Sequence, residues 1–145
     1  MSEESPKELE EKLKGLIVES RILEGTAAEI QSRIGVIDSA ARENRVSELT
    51  LEGLKEAKKG DAIFVPIGGG SYLKAAIADT EKIIAGVGAG IAVEKIVPEA
   101  KSDIANRMEE LKKARFTLEG QFTQTLERMQ AIREEADKLT AKMRT

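Results

Sequence analysis

Two glycine clusters have the spacing closest to known chemistry. Gly68-Gly69-Gly70-Ser71 has the composition of a loop whose backbone N–H groups cradle phosphate. That loop needs a Gly, four residues, then Gly-Lys-Ser/Thr. No Lys follows these glycines directly, and no parallel βαβ unit surrounds them, so the cluster reads as a hairpin turn. Gly86-Val87-Gly88-Ala89-Gly90 shares part of a dinucleotide-binding spacing, but the third required glycine falls at Ile91 and the segment runs into a strand. The acidic pairs Glu10-Glu11 and Glu109-Glu110 stand beside Lys12, Lys112 and Lys113, as on solvated helix flanks where residues four apart pair weakly. Histidine and cysteine are both absent. A thiol nucleophile, a zinc finger and a Ser-His-Asp triad are therefore excluded, and the commonest general base at neutral pH is missing. We expect no catalytic residues, no cofactor-binding residues and no metal site: the chain is not read as an enzyme.

The 145 residues suit one domain, with 23 Lys and Arg against 26 Asp and Glu, a net charge of −3. A duplex-binding protein carries a basic excess to neutralise phosphates, and this one does not. Charged residues make up 34% and apolar residues 41%, which suits a folded chain. Aromatics are only 3%: Phe64, Tyr72, Phe116 and Phe122. Few rings with many charges point to long solvated helices rather than a compact core. Met1-Ser2-Glu3-Glu4-Ser5 is acidic with no apolar stretch behind it, so no secretory leader is expected. No run approaches the ~18 apolar residues of a membrane span. The expected location is the cytoplasm, without membrane or nucleic-acid partners.

Helical periodicity dominates both ends. Ser5-Pro6-Lys7-Glu8 is a start signal: the Ser hydroxyl accepts the Glu8 amide, the Glu8 carboxylate reaches back to the Ser5 amide, and Pro opens the first turn. Then Leu9, Leu13, Leu16, Ser20, Leu23, Ala27, Ile30, Ile34, Ile37 and Ala41 follow in alternating steps of four and three, and only Ser20 is polar. Near the other end, Ile104, Met108, Leu111, Arg115, Leu118, Phe122, Thr125, Met129, Ile132, Ala136, Leu139 and Met143 repeat the pattern, with Arg115 and Thr125 as exceptions. Seven-residue repeats sustained this far imply coiled-coil helices. Arg115 on the seam is expected to snorkel past its edge or pair with an acid of the facing helix.

The segment between them holds most of the 12 glycines. Thr50 to Gly60 reads as a short helix capped by Thr50 and stopped at Gly60. Short apolar runs at Ala62–Ile67, Ser71–Ile77, Lys82–Val87 and Gly90–Lys95 read as strands, joined by Gly68-Gly69-Gly70, residues 78–81 and Gly88-Ala89. Pro98 restarts a helix.

The expected fold class is α+β, predominantly α: a long antiparallel two-helix coiled coil with two β-hairpins at one end. Residues 1–145 form one unit, with a first coiled-coil helix over 5–45, a linker helix and two hairpins for oligomerisation over 46–97, and a second coiled-coil helix over 98–143. A helix of ~40 residues is roughly 60 Å long, against a radius of gyration near ~15 Å for a compact chain of this length, so the helices must project. One register pairs Ala41 with Ile104, Ile34 with Leu111, Leu23 with Phe122, Leu13 with Ile132, and Ser20 with Thr125 in a polar layer. A slip of seven residues preserves the same alternation. Ile63, Val65 and Ile67 point to one face of their strand and Phe64 to the other, so both faces want cover. Two hairpins alone are marginal and leave edges unpaired, so hairpins of several subunits would complete a shared barrel. The residues expected to carry oligomerisation are Ile63, Val65, Ile67, Tyr72, Leu73, Ile77, Ile83, Val87, Ile91 and Val93. The outer helical turns carry Leu9, Leu13, Leu16, Ile17 and Val18 on the first helix and Met129, Ile132, Leu139 and Met143 on the second; fraying there would offer adaptable apolar side chains to a client chain, with all of these but Val18 expected to contact it. Equally, they close the seam.

Phe64-Val65-Pro66-Ile67-Gly68-Gly69-Gly70-Ser71-Tyr72-Leu73-Lys74-Ala75 and Val87-Gly88-Ala89-Gly90-Ile91-Ala92-Val93-Glu94-Lys95 resemble the signature of the prefoldin family, in its archaeal alpha-subunit form. The resemblance covers essentially the whole chain, and four strands favour the alpha over the single-hairpin beta type. It implies an ATP-independent molecular chaperone, a holdase subunit. Two alpha and four beta subunits would form a hetero-hexamer whose six arms capture unfolded client proteins at their tips and deliver them to a group II chaperonin. Without the resemblance, the residues also allow a structural coiled-coil adaptor binding a specific partner helix.

Overall fold

The computed structural model describes residues 4–144. The readings made on Met1–Glu3 and Thr145 lie outside the described residues. The described elements are helix α1 (Pro6–Gly53), strands β1 (Ala62–Gly68), β2 (Ser71–Ala76), β3 (Lys82–Gly88) and β4 (Ile91–Ile96), and helix α2 (Val97–Met143). The architecture is two long helices with two antiparallel hairpins between them in the chain, as the patterning predicts.

Helix α1 begins as the start signal dictates. The Glu8 N–H donates to Ser5 Oγ at 3.2 Å, and the Ser5 N–H donates to Glu8 Oε2 at 3.3 Å. The short helix expected over residues 50–60 does not exist as a separate element, because α1 runs unbroken through Gly53. The apolar signal lapsed at Asn44 and Glu48, yet both are half-buried, and Leu51 after them is buried, so the inward stripe continues through two polar residues. Thr50 is no cap; its hydroxyl donates within the helix to the Val46 carbonyl at 2.9 Å. Beyond Gly53 the backbone closes single turns, such as Glu56 N–H to the Gly53 carbonyl at 3.2 Å.

The chain divides into two compact units. One takes α1 up to Asp38 with α2 from Lys112 onward, and the other is Ser39–Leu111. In the first, Leu9, Leu16, Ile132 and Leu139 form a buried cluster, with Leu23 and Ala136 packed against it. In the second, Leu51, Val97, Ala100 and Ile104 form another, with Leu54, Ile83 and Met108 against it. Across both helices every residue assigned to the seam is buried or half-buried except Met143.

The ion pairs across the seam fit neither the expected register nor its one-heptad slip throughout. Asp38 faces Arg115, with Nε to Oδ1 at 2.8 Å. Pairing Ser20 with Thr125 would instead set Asp38 opposite Arg107, eight residues or about 12 Å further along α2, beyond the reach of an Asp–Arg contact. The slip sets Asp38 opposite Ala114, next to Arg115, but it sets Glu19 opposite Arg133, whereas Glu19 meets Arg128, two residues from its partner in the expected pairing. Ser20 lines a groove with Ile132. The Thr125 hydroxyl is satisfied in its own helix by the Gln121 carbonyl at 2.8 Å.

The hairpins are twins offset by twenty residues. Ala62 pairs with Ala76 and Phe64 with Lys74, while Lys82 pairs with Ile96 and Ile84 with Glu94. Each has a register shift just before its turn, between Pro66 and Gly68 and between Gly86 and Gly88. Three consecutive positive φ values make each turn: 99°, 60° and 76° at Gly68, Gly69 and Gly70, then 104°, 52° and 73° at Gly88, Ala89 and Gly90. Positive φ at both loop residues gives the mirror-image turn that matches strand twist. β4 therefore starts at Ile91, one residue later than the glycine pattern suggests. The two hairpins remain separate two-stranded sheets.

Candidate interaction surfaces

The hairpins expose apolar side chains on both faces. Opposite residues share a face of a ladder, so Ile63 and Val65 lie with Ala75 and Leu73, while Phe64 and Pro66 lie with Lys74 and Tyr72. Ile67 falls in the register shift, outside the ladder, and is exposed rather than continuing the Ile63–Val65 row. Of the residues expected to carry oligomerisation, Ile63, Val65, Ile67, Tyr72, Leu73, Val87, Ile91 and Val93 are exposed, and Ile77 and Ile83 are half-buried. Phe64, Ile84 and Ile96 are exposed too, and sequence reasoning left them out. Alternation could have found them, because in a hairpin with both faces apolar the even positions are as exposed as the odd ones.

The second hairpin is tied to the helices of its own unit. Ile83 packs on the Leu51 cluster, the Lys95 amine meets Asp103 Oδ2 at 2.5 Å, and the Val97 N–H donates to the Glu81 carbonyl at 2.9 Å. The first hairpin closes at its base through Gly60 N–H to Ile77 carbonyl at 2.7 Å and Ile77 N–H to Asp61 carbonyl at 2.9 Å. Between them Asp79 Oδ1 accepts the Glu81 N–H at 2.7 Å and the Lys82 N–H at 3.2 Å. Those two amides favour the charged carboxylate and hold Asp79 below the usual carboxylate range.

In the first unit the helices present a different surface. Leu9, Leu16, Ile132 and Leu139 are buried in the seam, Leu13 and Met129 half-buried. Among the residues expected to contact clients, only Ile17 and Met143 stand open, each 44% exposed. Val18 and Ile22 are still more exposed, one turn apart on the solvent side of α1. A groove of about 300 Å³ opens beside them, with Leu16, Ile17, Ile132 and Ala136 as apolar lining and Arg21, Glu24, Arg133 and Asp137 as its charged rim. Ion pairs flank the seam. Arg128 reaches Glu19 with Nε to Oε1 at 2.9 Å, and Arg115 meets both Asp38 and Glu119. The hydrogen-bonded carboxylates of Glu19 and Asp38 raise the pKa values of the two guanidinium groups, which stay charged at any physiological pH. Among the described residues no His, Cys, Asp and Glu cluster could hold a metal ion, and no helix is long and apolar enough to cross a membrane.

Comparison with known proteins settles the family. The family model described as "Prefoldin subunit" matches residues 23–142. The chain belongs to the prefoldin family. The prefoldin subunit alpha of Methanopyrus kandleri is 38% identical over 109 residues, covering 74% of this chain and 69% of that one. The prefoldin subunit alpha of Methanococcoides burtonii is 36% identical, covering 85% and 89%, and that of Pyrococcus horikoshii is 31% identical, covering 90% and 88%. A filamentous PFD from Methanocaldococcus jannaschii, solved by cryo-electron microscopy, shares the fold with a TM-score of 0.70, covering 81% of this chain and 97% of that one at 23% identity. Prefoldin members are chaperone subunits, not enzymes, and this chain is a prefoldin chaperone subunit that assembles with other prefoldin subunits.

Proposed function

We propose that this chain is an ATP-independent holdase subunit acting in the cytoplasm. It joins a hetero-hexamer of two alpha-type and four beta-type subunits, captures non-native proteins at the ends of its helix pair, and passes them to a group II chaperonin. Residues 46–97 carry oligomerisation, and residues 5–45 and 98–143 form the arm. The observation that carries the capture reading is the outward apolar set Ile17, Val18 and Ile22 beside the groove at Leu16 and Ile132. Val18 and Ile22, one turn apart, have no packing role in the seam, and Ile17 edges the groove; exposed apolar residues of this kind suit weak contact with many sequences. Met143 extends that contact from α2, while Leu9, Leu13, Leu16, Met129, Ile132 and Leu139 become available only when the outer turns part. Several arms engaging one client multiply weak contacts through high effective concentration.

Assembly rests on the hairpins. Their unpaired edges and two apolar faces favour completion by strands of neighbouring subunits. The oligomerisation surface is Ile63, Val65, Ile67, Tyr72, Leu73, Ile77, Ile83, Val87, Ile91 and Val93. The test combines two variants of the full chain mixed with a beta-type partner. Ile17→Ser with Val18→Ser and Ile22→Ser leaves the mass of the assembly unchanged and lowers aggregation suppression for two unrelated denatured proteins. Val65→Asp breaks the assembly and leaves helical circular dichroism intact, because the shared barrel would bury an unpaired charge. Undiminished suppression by the triple variant refutes capture at this patch. An unmodified complex that protects neither client favours the adaptor reading instead.

A further inference from the structure

The twin hairpins differ at matching positions. Phe64, Pro66, Tyr72 and Lys74 of the first correspond to Ile84, Gly86, Ala92 and Glu94 of the second. Within each hairpin these four share one face, because they are opposite partners at alternate positions. The first face carries bulk and a cation: the Phe64 and Tyr72 rings are 67% and 63% exposed, beside Lys74. The second is thin and anionic, with Ile84 and Glu94 standing beside Gly86 and Ala92. Among the described residues neither Lys74 nor Glu94 has an ion-pair partner, and both are exposed.

The thin face is turned away from its own helices. Ile83 packs on the Leu51 cluster and Lys95 meets Asp103, and both lie on the opposite face of the second hairpin. Gly86 has no explanation within the chain. It lies inside β3, its φ is outside the left-handed region, and an added Cβ would meet nothing within 4 Å. The register shift beside it does not call for glycine, since Pro66 takes the same place in the first hairpin. A strand-interior glycine weakens its strand and often marks the close approach of another backbone. That approach does not come from the other hairpin of the same chain, because the two remain separate sheets.

We infer that these faces form a key that pairs two copies of this chain, with the bulky face of the first hairpin in one copy seated on the thin face of the second hairpin in the other. The rings fill the space that Gly86 and Ala92 leave, and Lys74 meets Glu94. A two-fold axis forms both contacts at once, since each copy supplies one bulky and one thin face. Like on like is disfavoured: two first hairpins set ring against ring and Lys74 against Lys74, and two second hairpins set Glu94 against Glu94 across a gap. Of these residues only Tyr72 belongs to the oligomerisation surface named above. The key rests on the hairpins being the assembly surface, as proposed there, and adds which hairpin meets which.

The test is the mass of the full chain by sedimentation, alone and mixed with a beta-type partner. The unmodified chain alone forms a dimer. Lys74→Glu and Glu94→Lys each weaken it on the order of tenfold, by setting like charges together. Mixing the two variants restores the dimer, because each then offers the charge that the other lacks. Gly86→Val fills the hollow and also weakens the dimer, although a β-branched residue at an open strand position favours the hairpin itself. Helical circular dichroism stays unchanged in every variant, and amide exchange in the second hairpin is no faster in Gly86→Val, which separates a lost contact from a damaged hairpin. A chain that stays monomeric alone, single reversals without effect, or no rescue on mixing overturns the key. Reversals that alter only the mixture assign these faces to the beta-type partner and overturn pairing between copies. In each of those cases an intact assembly with the beta-type partner leaves the assembly reading standing. If the unmodified chain forms no assembly even in that mixture, the assembly reading falls as well.

Discussion

Ile132 is the most sensitive position of the helix pair. It is 2% exposed and packs with Leu9, Leu16 and Leu139. Ile132→Ala deletes three buried carbons, a transfer loss of about 2.4 kcal/mol at roughly 0.8 kcal/mol per carbon. A cavity adds to that loss, but a two-helix seam closes over a void more easily than a multilayered core, so the total stays near the low end of the 2–5 kcal/mol range, about 3 kcal/mol. In a chain of this size that lowers Tm by on the order of 10 °C. Ile17→Ala deletes the same three carbons from a side chain 44% exposed, outside the buried cluster, and costs about 1 kcal/mol or less. Thermal unfolding of both variants, followed by helical circular dichroism at one protein concentration, compares them directly. A Tm shift below about 2 °C for Ile132→Ala, or equal shifts for the two variants, refutes the division between a seam that holds the helices and a surface left for contact.

Three further outcomes follow from local geometry. Ala89 holds a φ of 52° in the second hairpin turn, so Ala89→Gly relieves left-handed strain and stabilises β3–β4 by on the order of 0.5 kcal/mol, seen as slower amide exchange in that hairpin. Asp38→Asn and Arg115→Met each lower Tm slightly, and a double-mutant cycle shows a coupling that shrinks in high salt, since the pair is more than a third exposed; additive effects would remove the pair from the account of the seam. Acid weakens the hairpin segment. Asp79 and Glu52 are both held below the usual carboxylate range, Asp79 by the Glu81 and Lys82 amides and Glu52 by the Lys101 and Lys55 amines. A carboxylate with a depressed folded pKa stabilises above its unfolded value and loses that contribution as pH falls through the folded value. Stability therefore declines below the ordinary carboxylate range, and Asp79→Ala blunts the decline in an acid titration; an unchanged acid profile contradicts the assigned role of Asp79.

Much of the fold was legible along the chain. The Ser5–Glu8 box closes in both directions, and the hairpin strands lie within one residue of their expected limits. Such features depend on residues close in sequence, where a cap, a turn glycine or a heptad step has one local outcome. The end of α1 was misjudged because Asn44 and Glu48 occupy inward positions that a search for apolar residues passes over. The exposure of the outer apolar residues is legible only in the fold. Apolar residues on the outer turns look alike in sequence, but most turn into the seam while Val18 and Ile22 stay open to solvent.

The local order of this protein was written in its residues alone: which segments are helices, where the chain reverses, and which helix face is apolar. The register was not, because a seven-residue repeat is satisfied equally by any slip of seven and no apolar position distinguishes one heptad from the next. That choice belongs to the folded molecule. It lies in contacts such as Asp38 with Arg115, 77 residues apart in the chain and 2.8 Å apart across the seam, and Glu19 with Arg128, 109 apart, whose partners only the tertiary structure brings face to face.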